Sequence, residues 1–472
     1  MALTCISRTC LLSTPLFIQI RGLKIAVIGS GPAGFYLTQH LLKNERVTNV
    51  DMFEKYPVPF GLVRYGVAPD HPEVKNVEHT FTRTAENPKV SFVGNVSIGK
   101  DVTLQEIRDA YNAVVLCYGS SRERDLGIPG EKLDNVLSAT RFVGWYNGVP
   151  HHQDLKVNVD TDSCVIIGHG NVALDCARIL VTKIDNGLGK TDITMRASET
   201  LKKSKIKKVH VVGRRGPLQV AFTIKELREL TKLSGCRTII DTNQVEFITK
   251  TDLDKMPRSR RRLTELMLKI ASESKDRDTS SSSEKECIIH FRLSPLAIHS
   301  NDQLEIDFNV NHLEDPLNER SRSVPTNQVV RMKAGLLIKS IGYTTISLDP
   351  SIPMDDRKGC IRNEGGRVTD TTGLYCSGWA ATGPTGVLVS TMNVSFQVAN
   401  KILSDSEEGS LDTSEKPGLN EIERILKLRG VSYVSFNDWK KIDVKERQQG
   451  EKHGKPREKI LSINDLVEAS KQ

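Results

Sequence analysis

Apolar and polar positions alternate along this chain in the rhythm of strand, glycine turn, helix, strand. The run Lys24–Ile28 is apolar after its lysine and rich in branched residues, which predicts a short strand buried on both faces. A glycine turn follows at Gly29–Gly34, then a predicted helix over Phe35–Leu42 and a second strand over Val47–Phe53 that ends at Glu54. The order recurs downstream: strand Cys164–Ile167, turn Gly168–Ala173, helix Asn171–Leu180 and strand Val209–Val212. The polar stretch from about Asp185 to Lys208 reads as an inserted loop or short helix. Tyr111–Gly119 is another buried strand ending in glycine, and Gly335–Gly342 looks like its counterpart. Beyond the two glycine units no internal repeat is visible.

Each glycine has a reason in this pattern. Gly29 permits the tight turn, Gly31 lets the backbone approach a pyrophosphate, and Gly34 lets the next helix pack closely on the strand; the pyrophosphate would then sit on that helix's free N–H groups. Glu54 follows Gly34 by twenty residues, where a carboxylate can accept hydrogen bonds from ribose hydroxyls. In the second unit Gly168 and Gly170 make the turn, Ala173 takes the third small position, and the next strand ends in Gly213-Arg214-Arg215. Two guanidiniums there suit the 2′-phosphate of NADPH, against the alternative of a solvated basic turn. The fold class that follows is α/β, with two Rossmann-like dinucleotide-binding domains. Two nucleotides of different kinds on one polypeptide suggest electrons passing between them.

Composition narrows the class. The 472 residues allow two or three domains, and 38% hydrophobic with 26% charged residues is the balance of a globular enzyme. No apolar run approaches the span of a membrane helix. A net charge of +8 permits an acidic partner without demanding one. Nine cysteines contain no CxxC pair and no repeating metal spacing, so no metal site is expected; Cys117, Cys164 and Cys376 fall in core strands as reduced thiols. Residues 1–22 contain Arg8, Arg21 and several Ser and Thr but no acid, the first carboxylate being Glu45, which resembles a mitochondrial transit peptide. The Ser- and charge-rich segments Ser272–Glu286 and Ser404–Gly418 read as exposed loops, and Lys445–Lys459 as polar, basic and surface-bound or mobile.

Longer stretches carry a resemblance: VIGSGPAGFY (27–36), PFGLVRYGVAPDHPEVKN (59–76), RFVGWYNG (141–148), GNVALD (170–175), VVGRRGPLQVAFTIKELRE (211–229), GLYCSGW (373–379), GPTGV (383–387) and VSFNDW (434–439). They span nearly the whole chain after residue 23, and through them it resembles the adrenodoxin-reductase family of mitochondrial ferredoxin–NADP+ reductases. The resemblance implies an FAD domain at 23–120 and 345–472, with an NADP domain at 121–344 inserted into it. It implies FAD contacts at Ala33, Glu54, Leu62, Val96, Trp379, Gly386, Val387 and Leu388, and NADP(H) contacts at Gly170, Asn171, Val172, Arg214, Arg215, Glu226 and Gly386. A structural role for Trp379 in the core is an equal alternative. Two departures stand out: His169 lies where the family commonly has Gln, and Ala381-Thr382 where it commonly has a Lys-Arg pair.

The expected reaction is hydride transfer from NADPH to the flavin, then electron release one at a time to an acidic [2Fe–2S] ferredoxin in the mitochondrial matrix, serving mitochondrial P450s or iron–sulfur cluster assembly. Peripheral inner-membrane association is compatible with this; a transmembrane segment is not expected. Flavin and nicotinamide supply the reactivity, and the protein supplies stacking, orientation and electrostatics. His71 and Asp175 are the candidates for proton management at the flavin. The dense basic run Lys255–Arg262, with Arg258, Arg260, Arg261 and Arg262, and the separate Arg228 are candidates for steering the ferredoxin. Nucleic-acid binding lacks the interleaved aromatic residues it would need. An NADPH-dependent flavin oxidase or quinone reductase, and a flavin-bearing subunit without turnover, are the alternatives.

Overall fold

The computed structural model describes residues 22–275 and 285–472, so residues 1–21 of the expected transit segment and the middle of the expected Ser272–Glu286 loop lie outside the described residues. Two parallel sheets organise the molecule. The first runs in the order Asn363–Glu364, Arg367–Val368, Leu374–Cys376, Ala113–Leu116, Leu23–Ile28, Val47–Glu54 and Val90–Gly94. Its last five strands are parallel, and the first two add an antiparallel edge. Both faces of Leu23–Ile28 are buried, Ile25 and Val27 against Phe35 and Leu37, Ala26 and Ile28 against Ile107 and Leu374. That is why the strand reads as a continuous apolar run.

The second sheet is wholly parallel: Val136–Ser138, Leu336–Lys339, Ser163–Ile167, Lys208–Val212, Lys285–His290 and Cys236–Ile240. Leu336–Lys339 flanks Ser163–Ile167 as Ala113–Leu116 flanks Leu23–Ile28, so each glycine turn emerges beside an equivalent neighbour. Cys164 and Ile166 face the helix side of this sheet; Val165 and Ile167 face a three-stranded antiparallel sheet, Leu293–Ser300, Leu304–Leu313 and Ser323–Ala334, through Ile306 and Phe308. The sequence reading missed this insert. Where the chain passes between the two sheets, Arg122–Glu123 and Tyr343–Thr344 pair antiparallel as a short ribbon.

The 185–208 stretch holds the short helix that is one of its two expected forms, Met195–Lys202, started by the Thr194 side chain on the Ala197 amide and seated by buried Ala197 and Leu201, with two 3-10 turns before it. Three sequence expectations need correction. The Ser272–Glu286 segment begins within the helix Arg258–Lys275 and ends within the strand Lys285–His290. Ser404–Glu407 continues the helix Leu388–Glu407, because Asp405 is buried and bonded by the Tyr375 hydroxyl at 2.7 Å and by Arg367. Lys445–Lys459 is not a loose basic tail. It completes the helix Phe436–Glu451 and then buries Lys455, Arg457 and Lys459. Fully buried Glu446 pairs with Arg64 at 2.6 Å and with Arg457 at 3.2 Å, and Lys459 pairs with Asp192 at 2.9 Å. Charge density read as solvation because two of the partners, Arg64 and Asp192, lie 382 and 267 residues away from Glu446 and Lys459.

Candidate functional site

Three segments converge at the first glycine turn. Gly29 has φ +109, and a Cβ there would meet the Cys117 carbonyl at 2.7 Å; one on Gly34 would meet the Gly29 carbonyl at 2.2 Å. Helix Pro32–Leu41 therefore starts hard against its strand. Its first turn has no side-chain cap and no acid, whereas Thr103, Ser138, Thr194 and Thr223 each cap the helix they begin. An uncapped helix start of this kind leaves N–H donors and a positive dipole end for an anion. The 59–62 loop closes over the turn: the Phe60 amide donates to the Ser30 carbonyl at 3.0 Å, and a Cβ on Gly61 would lie 2.9 Å from Gly31 Cα. From the other side Gly378 packs on Ala33, and helix Leu388–Glu407 lies along Pro32–Leu41.

Glu54 sits at the end of the second strand. One of its oxygens accepts from the Ser30 amide at 3.1 Å and hydroxyl at 2.9 Å, the other from the Tyr56 amide at 3.2 Å. Carboxylate oxygens have further lone pairs for ribose hydroxyls. Val96 is buried beside it, its amide donating to the Glu54 carbonyl at 2.9 Å. Leu62 and Val387 are 45% and 58% exposed, unusual for large apolar side chains. Both lie at the mouths of the converging segments, Leu62 beginning helix Leu62–Tyr65 and Val387 capping Leu388–Glu407. Trp379 is partly exposed and stacks with Tyr343 at 6.3 Å between centroids, while its carbonyl accepts from the hydroxyls of Ser120 and Thr345 at 3.3 and 3.2 Å. Gly386, φ +84, supplies the turn into the helix.

The second turn repeats the construction. Gly168 has φ +134, and a Cβ there would meet the Ser340 carbonyl at 2.0 Å, but nothing lies within 4 Å of one on Gly170, where space is open. Helix Asn171–Val181 begins without a side-chain cap or an acid, with Val172 partly exposed and Ala173 buried. The Asn171 side chain accepts from the Thr223 amide at 2.9 Å, and the His169 carbonyl from the Ala221 and Phe222 amides at 2.9 Å each. Thr223 caps the helix Ile224–Thr231 and its hydroxyl bonds Glu226, which places Glu226 at the rim of the same turn. The His169 ring turns inward onto Phe222 and Phe291, at 5.9 and 5.2 Å between centroids, and burial pushes its pKa down to about 4. That departure is a packing residue, neutral at pH 7, and its side chain does not face the open turn.

Arg214 and Arg215 follow the strand Lys208–Val212, and neither forms an ion pair among the described residues. Their backbone is braced by the antiparallel insert. Asn311 and Ser323 both donate to the Arg214 carbonyl, at 2.8 and 2.9 Å, and the Arg292 amide donates to the Arg215 carbonyl at 2.9 Å.

His71 and Asp175 come together across the two units around Arg178, which is 2% exposed. Arg178 pairs with Asp70, with Asp175 at 2.7 Å and with His71 Nε2 at 2.9 Å. The same Nε2 lies 3.1 Å from Glu229, and His71 Nδ1 lies 3.3 Å from Glu73. His71 thus stands between a cation and two carboxylates. Burial raises the Asp175 pKa against the pull of Arg178. This network joins the 68–75 loop to the helix of the second glycine turn.

The basic run divides in two. Arg258 and Arg262 are exposed and, like Arg228, form no ion pair among the described residues. Arg261 pairs with Asp254 at 3.0 Å and Glu265 at 2.8 Å, and Arg260 turns inward to Glu319 at 3.2 Å. The described residues hold no group of three or more potential metal ligands, and none of their helices is long and apolar enough to cross a membrane.

The profile of the pyridine nucleotide-disulphide oxidoreductase family matches residues 23–266. Mitochondrial NADPH:adrenodoxin oxidoreductases of Homo sapiens and Bos taurus are each 48% identical over 94% of this chain and 91% of their own length. That of Arabidopsis thaliana is 39% identical over 95% of this chain and 96% of its own. Among solved structures, Mycobacterium tuberculosis FprA in complex with NADPH superimposes with a TM-score of 0.89 at 35% identity, covering 96% of this chain and all of its own.

Proposed function

The chain belongs to the NADPH:adrenodoxin oxidoreductase family, and from that premise we propose that it passes electrons from NADPH through FAD to a [2Fe–2S] ferredoxin in mitochondria. The observation that carries this reading is the opposite charge at two otherwise equivalent places, Glu54 after the first glycine turn and Arg214-Arg215 after the second. A carboxylate accepts from a free ribose and repels a phosphorylated one, while paired guanidiniums favour the 2′-phosphate. FAD belongs on the first unit, residues 23–120 and 345–472, and NADP(H) on the second, residues 121–344.

FAD, held by the residues of the first unit, would supply the chemistry that links hydride uptake from NADPH to one-electron release. The chain's own residues hold the two nucleotides and manage the proton. The helix starts at Ala33-Gly34 and at Asn171-Val172, beside Gly29, Gly31, Gly168 and Gly170, bind the pyrophosphates. Glu54 holds the flavin ribose and Arg214 and Arg215 the 2′-phosphate, with Glu226 at the rim. Leu62, Val96, Trp379 and Gly386-Val387-Leu388 form the wall against which the reacting rings are oriented. His71 and Asp175, coupled through Arg178, would hold and pass on the proton that flavin reduction requires. The exposed guanidiniums of Arg258 and Arg262, with the half-buried Arg228, attract an acidic ferredoxin. The matrix, or the matrix face of the inner membrane, is the compartment we assign.

Anaerobic titration of the flavin-loaded protein with NADPH, followed by oxidised [2Fe–2S] ferredoxin, tests the proposal. Flavin bleaching and then ferredoxin reduction is the expected result. Bleaching without transfer would indicate an oxidase or quinone reductase. An absence of bleaching would make this a flavin-bearing subunit without turnover.

A further inference from the structure

We propose that Arg260 is a third arginine of the 2′-phosphate site, a specificity residue for the nucleotide and not a docking residue for the ferredoxin. The inference rests on the reading of Arg214 and Arg215 as phosphate ligands. Arg260 lies in the first turn of helix Arg258–Lys275, which packs on the Pro217–Gln219 turn just after Arg215. At 100° per residue Arg258 and Arg262 share a helix face, and Arg260 points to the opposite side. Its Nη1 donates to the Val220 carbonyl at 3.2 Å. Val220 opens the short stretch whose next three amides bond His169 and Asn171, so Arg260 is tied to the backbone that closes over the second glycine turn.

Charge supports the geometry. Burial lowers the Arg215 pKa, and the nearby cations of Arg214 and Arg260 lower it further. Three guanidiniums therefore crowd one turn. The only carboxylate paired with any of them among the described residues is Glu319, half exposed, 3.2 Å from Arg260 Nε. A phosphate monoester, carrying nearly two negative charges at pH 7, relieves that crowding. Glu319 then acts as a stand-in counter-ion, holding Arg260 in place in the free protein and competing with the phosphate for it.

This assignment gives two variants effects of opposite sign. With the flavin-loaded protein, the affinity for adenosine 2′,5′-bisphosphate is measured directly. KM for NADPH and for NADH is measured with ferricyanide as acceptor, and KM for ferredoxin separately. R260A is expected to weaken the bisphosphate and raise KM for NADPH about tenfold, the range of one lost charge-assisted bond, with KM for NADH and for ferredoxin unchanged. E319Q is expected to tighten the bisphosphate about threefold, as removal of a half-exposed competing charge should; a merely structural role for the pair would not produce that gain. Equal losses with NADPH and NADH in R260A, a raised KM for ferredoxin alone, or E319Q weakening the bisphosphate would each overturn the inference. The double variant R214A/R215A separates the two levels. If it keeps the preference for NADPH, the phosphate reading itself fails; if it loses the preference and R260A keeps it, only the role of Arg260 fails.

Discussion

Replacing Lys459 by Met should change how the protein's stability depends on pH. Lys459 comes from the carboxy-terminal segment and is wholly buried, its Nζ 2.9 Å from an Asp192 carboxylate oxygen and 3.3 Å from the Asp192 carbonyl. Lys75, from the loop that also carries His71, reaches both carboxylate oxygens at 2.7 Å. Burial pushes the Lys459 pKa down to about 7 against the pull of Asp192. Burial would raise the Asp192 pKa, but the two lysines outweigh it and hold the carboxyl well below its usual range, so Lys75 keeps Asp192 ionised when Lys459 gives up its proton. An unfolded lysine titrates near ~10.4. Between pH 7 and that value the unfolded chain holds a proton that the folded one has released, so stability rises with pH. The slope approaches ~1.4 kcal/mol per pH unit, or ~2 kcal/mol from pH 7 to 9. Denaturant unfolding of wild type and K459M at both pH values gives the comparison, with wild type gaining that amount over the variant at pH 9. Parallel stabilities at the two pH values would refute the argument, because they would mean that Lys459 keeps its proton throughout or is solvated.

Three further outcomes follow from the site. G34A should lose FAD and fold less stably by about 3 kcal/mol, since its Cβ would lie 2.2 Å from the Gly29 carbonyl and force the helix off its strand; flavin absorbance of the purified variant checks it. R258E/R262E should raise KM for ferredoxin by about tenfold or more at low salt and less at high salt, leaving ferricyanide reduction intact; salt-independent loss would argue against docking. D175N should shift the pH profile of flavin reduction and slow it by about 100-fold, with FAD and NADP(H) affinity retained; an unchanged profile would make the His71–Arg178–Asp175 network structural only.

What could be read from the chain depended on how local the determinants were. Both glycine turns, their strands and Glu54 lie within short windows, and the residues that shape each turn are neighbours in sequence. In the insert of Leu293–Ala334 only Leu304–Leu313 carries apolar alternation; its partner Ser323–Ala334 is almost wholly exposed and lacks it, so no pair of strands announced a sheet. Its importance is equally invisible locally, since Asn311 and Ser323 brace Arg214 from about a hundred residues away. The basic tail was misread for the same reason. Nothing near Lys459 or Glu446 in sequence announces Asp192 or Arg64. His71 and Asp175 could be nominated singly, but nothing local marks Arg178, which joins them, as buried.

The two departures from the family pattern can be weighed by what each position does. His169 fills an apolar slot between Phe222 and Phe291, with its Nε2 3.3 Å from the Val211 carbonyl, so its side chain is taken up in packing. Ala381 is nearly buried where the short helix Trp379–Thr382 packs against Cys360–Ile361, and its carbonyl accepts from the Asn363 side chain at 3.0 Å. A lysine at 381 would have to thread its stem past that packing to reach water, so the small residue suits this surface. The turns of this loop are set by the positive φ of Gly378, Gly383 and Gly386, which all remain. We expect the loss of two charges here to weaken long-range attraction for an anionic nucleotide or ferredoxin without removing a group that orients the reaction. Lower affinity with an undiminished rate of flavin reduction at saturating NADPH is therefore the expected signature. A slow rate at saturation would mean instead that those charges act on the reacting rings themselves.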